Sequence, residues 1–67
     1  MNELDEIKVA KRFCKDGSEW AIRCEHCREV IYVEDGDDGT PRGEQYRHRA
    51  CGGWNEVSVD ATLVKDL

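Results

Sequence analysis

Cys24-Glu25-His26-Cys27 and, twenty residues later, His48-Arg49-Ala50-Cys51 are the two stretches on which the reading of this 67-residue chain turns. In each, a two-residue gap lets a tight turn aim both flanking side chains at one ion. The intervening backbone N–H groups stay free to hydrogen-bond the thiolates. Two such turns supply three sulfurs and one imidazole nitrogen, the donor set of a closed tetrahedral zinc site. Mg²⁺ and Ca²⁺ prefer oxygen and suit these ligands poorly. The expectation is one structural Zn²⁺ held by Cys24, Cys27, His48 and Cys51.

Size gives that ion a task. A chain this short buries only a modest core, and ordering it costs about 1.5 kcal/mol per residue. Here 39% of the residues are hydrophobic and 37% charged. A staple is needed, and four cysteines allow either a metal or disulfides. The acidic opening Met1-Asn2-Glu3-Leu4-Asp5-Glu6 lacks the basic start and apolar stretch of a secretory signal, and no apolar run approaches the roughly 20 residues that span a bilayer. The expected setting is the cytoplasm, where thiols stay reduced and clustered cysteines favour a metal.

Two other residues compete for coordination. Cys14 can stand in for His48 as the fourth ligand, or be a spare thiol. His26 lies inside the first turn, between two ligands, where simultaneous coordination is awkward; it is expected to be exposed or to donate a hydrogen bond. With four protein ligands no position stays open for a water, so no catalytic residue, small-molecule substrate or enzymatic activity is expected.

The rest of the chain reads as β-structure in a single domain, 1–67. Residues 1–6 form a frayed lead-in, and residues 6–13 a strand. Asp16-Gly17 is expected to be the two-residue loop of a hairpin, which sets Phe13 opposite Trp20 and collects Ile7, Val9, Ile22 and Cys24 on the same face. Residues 28–34 are rich in β-branched and aromatic side chains and form another strand. Residues 35–44 carry glycine, proline and acid and are expected to be an exposed, mobile loop. Calcium is excluded there: counted from Asp35, positions five and twelve of an EF-hand loop fall on Gly39 and Tyr46. Residues 45–50 fit a helix or an extended segment equally. Val57, Val59, Ala61 and Leu63 alternate with polar residues, as in a half-buried strand. The architecture expected is two β-hairpins or a small antiparallel sheet around one zinc.

The Cys24-x2-Cys27, twenty residues, His48-x2-Cys51 pattern resembles the first zinc module of LIM domains and, more broadly, the zinc ribbons built from two knuckles. The resemblance covers residues 24–51. It implies a zinc-ribbon-like fold and a role in recognition or scaffolding, because such modules mostly bind proteins or nucleic acids.

Net charge is −5, with −4 of it carried by residues 34–67. That argues against long-range attraction to phosphate backbones. The expected role is a protein-interaction module, a small regulator or inhibitor of a larger host machine of the bacterial or phage type. Its contacts would come from Tyr32, Tyr46, Arg47, Arg49 and Trp54, aromatic and arginine anchors being favoured at interfaces. The alternative is nucleic-acid binding through Arg42, Tyr46, Arg47 and Arg49, with the arginines on phosphate and the ring on a base. No membrane partner is expected.

Overall fold

The computed structural model describes residues 6–67, so residues 1–5 of the expected lead-in lie outside the described part, and Glu6 is an exposed bend. Five strands follow: β1 (Ile7–Asp16), β2 (Glu19–Arg23), β3 (Val30–Val33), β4 (Gln45–Arg47) and β5 (Trp54–Val64). They form one sheet in the order β3-β2-β1-β5-β4. All neighbours are antiparallel except β1 and β5, which run parallel. The expected purely antiparallel sheet is thus corrected to a mixed one: a β1-β2-β3 meander and a β4-β5 hairpin are joined through their two longest strands. The described residues contain no helix, hence none long and apolar enough to cross a membrane. Residues 45–47, undecided from sequence, are extended.

The first hairpin turns one residue later than expected. Asp16 pairs with Glu19 and Cys14 with Ala21, which makes Gly17-Ser18 the loop. Gly17 has φ +62° and Ser18 is not among the positive-φ residues, the pattern of a type II′ turn with glycine first. Trp20 therefore lies opposite Lys15 instead of Phe13. A shift of two residues preserves the faces, and Phe13 and Trp20 still meet edge to face with ring centroids 4.9 Å apart.

A break in the β1–β5 ladder overturns a second expectation. Ala10 pairs with Val57, but Arg12 pairs with Thr62, so four residues of β5 oppose Lys11. Such an irregularity flips which side chains face inward. Ala10 and Phe13, three apart, are both buried, whereas Ile7 and Val9 are exposed. On β5 the same break leaves Val57 and Ala61 inside but turns Val59 and Leu63 out, so only half of the expected apolar row reaches the core.

That core is Ala10, Phe13, Trp20, Ile22, Val33, Val57 and Ala61, with Ile31 and Tyr46 packed against it. The segment between β3 and β4 crosses from one edge of the sheet to the other and helps to enclose it. Pro41 is fully buried. The Arg42 guanidinium lies 5.6 Å from the Phe13 ring centroid, and its Nε donates to the Ala61 carbonyl at 2.9 Å. Within the loop, Gly36 N–H bonds the Thr40 carbonyl at 2.8 Å, and Asp38 accepts from both the backbone and the hydroxyl of Thr40. These bonds hold the Asp38 carboxyl below its ordinary pKa.

Candidate metal centre

The two ligand pairs occupy equivalent turns. One links β2 to β3 and the other β4 to β5, and their hydrogen bonds match position for position. Cys24 N–H donates to the Glu29 carbonyl (2.7 Å), as His48 N–H does to that of Gly53 (2.9 Å). Arg28 N–H donates back to the Cys24 carbonyl (2.8 Å), as Gly52 N–H does to that of His48 (2.6 Å). The residue after the second ligand is left-handed in both turns, Arg28 at φ +71° and Gly52 at φ +77°. That reversal returns the chain to the sheet while both ligand side chains point the same way. Glycine adopts it freely; arginine does so at a cost of about 1 kcal/mol or more.

The turns face each other. The ligand atoms of Cys24, Cys27, His48 and Cys51 all lie within 4.8 Å of one another, close enough to hold one metal ion. Cys24 Sγ is 3.6 Å from Cys51 Sγ. His48 Nδ1 is 3.2 Å from Cys27 Sγ and 3.4 Å from Cys51 Sγ. A tetrahedral ion with bonds of about 2.3 Å to sulfur and about 2.0 Å to nitrogen needs ligand separations of about 3.5–3.8 Å, so the donors fit with minor adjustment. His48 and not Cys14 completes the cluster; Cys14 is half-buried at the other end of β1, in register with Ala21 and Val64.

Charge makes the same point. Burial by itself raises the pKa of Cys24, but N–H donors from Cys27, Asn55 and His26 outweigh it and hold the thiol at about 6. Cys27 receives a bond from the Glu29 backbone, yet desolvation and the neighbouring Cys24 and Cys51 leave its pKa raised. One thiolate is tolerated at Cys24, and Cys27 resists ionising beside it. A divalent cation removes that conflict, because metal binding displaces thiol protons.

Three supporting residues were not singled out from sequence. Asn55, fully buried, donates from Nδ2 to Cys24 Sγ (3.3 Å) and accepts from Glu25 N–H at Oδ1 (2.7 Å), tying β5 to the first turn. Its signal was available: Asn55 is in phase with Val57, so extending the alternation backwards puts an amide at a core position. Glu29 places a carboxylate oxygen 3.9 Å from His48 Nε2, on the side of the ring that leaves Nδ1 aimed at the sulfurs. Gly53 donates to Cys51 Sγ at 3.4 Å.

Gly53 also explains His26. The imidazole lies against this glycine with its Nε2 2.9 Å from the Trp54 carbonyl, away from the ligand cluster. A Cβ at position 53 would fall 2.3 Å from His26 Cδ2 and 2.9 Å from its Cβ. Gly53→Ala is therefore expected to destabilise the protein by about 1–3 kcal/mol, read as a shift in denaturant midpoint. Adding His26→Ala should restore part of the loss; a double variant no more stable than Gly53→Ala alone would contradict this packing.

The expected contact residues are scattered. Tyr32 is 58% exposed on β3, at the opposite edge of the sheet from β4. Tyr46 packs against the core and donates its hydroxyl to the Glu34 carbonyl. Burial, with Glu44, Glu34 and Asp35 nearby, pushes its pKa up to about 12. Arg47 and Trp54 are in register on β4 and β5, and Arg49 is exposed in the second turn.

No family model, curated protein or solved structure matches this chain. Fold and site define a small β-domain with a candidate metal centre.

Proposed function

We propose that the ion is a structural Zn²⁺ and that the domain is a zinc-ribbon-like protein-interaction module, a small regulator or inhibitor acting on a larger protein. Three sulfurs and one imidazole match the softness and tetrahedral preference of zinc. Four protein donors leave no site for an activated water, which favours a staple over a catalyst.

One observation carries the interaction reading: Trp54 stands 38% exposed next to Ile7 and close to Val9, in a chain with few large apolar side chains to spare. Ile7, Trp54 and Arg47 form one row across β1, β5 and β4. This row offers an aromatic ring and a guanidinium beside an exposed isoleucine, and tryptophan and arginine are residue types that anchor protein interfaces. The nucleic-acid alternative is less favoured, since Arg42 lies over Phe13 with its Nε on the Ala61 carbonyl and Tyr46 packs against the core. A cytoplasmic setting follows from the reduced thiols the site requires.

The test is capture of partner protein by immobilised metal-loaded domain, with Trp54→Ala in parallel. The variant should keep its fold and lose at least about tenfold in partner affinity, the effect of removing an interface anchor. Equal capture by both forms would sink the anchor. Micromolar, steeply salt-dependent binding to oligonucleotides would favour the alternative.

A further inference from the structure

We propose that β3 is the seam of a homodimer in which two copies pair their β3 edges antiparallel about a two-fold axis through Ile31. The inference uses the sheet edge remote from Trp54 and does not depend on the hetero-partner reading.

β3 ends the sheet. Its ladder to β2 sets which backbone groups are free. Cys24 N–H bonds the Glu29 carbonyl, and Ile22 and Trp20 lie opposite Ile31 and Val33. In an antiparallel ladder the hydrogen-bonded pairs alternate, so Ile31 and Val33 turn their N–H and C=O groups to β2. Those of Val30 and Tyr32 point outward.

Sheet edges are normally blunted by proline, lysine, a bulge or a covering segment. Among the described residues β3 has none: its sequence is Val-Ile-Tyr-Val, its register with β2 is unbroken, and Val30 and Tyr32 are 45% and 58% exposed. The other edge strand, β4, has three residues.

The strand complements itself in one register. With Ile31 facing the partner's Ile31, Val30 faces the partner's Tyr32 and Tyr32 the partner's Val30. All the outward backbone groups of both residues are then used, and each exposed valine lies across from a tyrosine whose hydroxyl stays bonded to Asp16 of its own chain at 3.1 Å, an aromatic–β-branched cross-strand pair. Glu34 comes near the partner's Arg28, whose guanidinium also pairs with Glu25 of its own chain at 3.1 Å, so opposite charges meet at both ends. Centring on Val30 fails because it requires the left-handed Arg28 to pair as a strand residue. Centring on Tyr32 sets Val30 against the partner's Glu34. A four-residue seam buries less than the roughly 1,200–2,000 Å² of a standard stable interface, so the dimer is concentration-dependent.

Sedimentation velocity on the metal-loaded chain, from about 10 μM to about 1 mM, should show a rising dimer fraction. A monomer throughout that range overturns the proposal. Tyr32→Pro removes an outward N–H without touching the β2 ladder, as proline is tolerated at edges, and should abolish the dimer while far-UV circular dichroism stays unchanged. Val30→Lys, which cannot break the strand, should weaken association at least about tenfold. If both variants dimerise like the parent, the seam lies elsewhere and the proposal fails. In a Cys14→Ser background, Ile31→Cys should form a disulfide-linked dimer on mild oxidation, because facing residues at such a pair have Cα atoms about 4.5 Å apart. Dimerisation without that cross-link would overturn the Ile31 register.

Discussion

Chelating the metal at neutral pH is expected to erase the cooperative thermal transition of this protein. The core explains the size of the effect: of its seven residues two are alanines, and only Phe13 and Trp20 bring large aromatic area. Small domains have about 5–15 kcal/mol of net stability, whereas structural zinc in comparable peptides contributes on the order of 10–16 kcal/mol. Losing the ion also leaves three thiols in mutual contact, with Cys24 poised to ionise beside its neighbours. Elemental analysis of the native protein should return one zinc per chain. His48→Ala should lose metal affinity, and Cys14→Ser, remote from the cluster, should keep it. A full melting transition in chelator-treated protein, or another metal in stoichiometric amount, would overturn the zinc assignment.

Replacing Asn55 with alanine should produce the second largest loss, about 3–5 kcal/mol in a denaturant titration of the metal-loaded protein. Each of its two hydrogen bonds accounts for about 1.5–3 kcal/mol, since one reaches a thiolate and the other satisfies the Glu25 N–H in a part-buried site. Asn55→Asp separates the two roles. It keeps an acceptor for Glu25 N–H but loses the donor to Cys24 and sets a carboxylate beside a thiolate, so it should bind metal less tightly than the alanine variant. Equal metal affinity in the two variants would show that the Asn55–Cys24 bond does not tune the site.

The cluster of Cys24, Cys27, His48 and Cys51 was legible because its information is local. Each turn is six residues long, and the two-residue gap alone states that both side chains converge. Strand content was legible for the same reason in residues 30–33 and 54–64, where β-branched residues recur. The mixed sheet was not, because parallel pairing of β1 with β5 joins residues 47 to 50 positions apart and leaves no local trace. Ile7, Val9, Val59 and Leu63 were misplaced by one cause: strict alternation assumes an unbroken ladder, and the shift between Ala10 and Arg12 breaks it. The Asp16-Gly17 turn was misplaced by one residue because glycine suits either loop position.

The chain's own residues supply the donors of the candidate centre: three thiols and an imidazole at knuckle spacing. Folding in three dimensions decides everything that depends on distance along the chain, namely that His48 and not Cys14 completes the cluster, that Asn55 and Glu29 attend it, and that Trp54 and Tyr32 stand outside. Side-chain type and short spacing are written in sequence, but facing and neighbourhood arise only when remote strands choose their register.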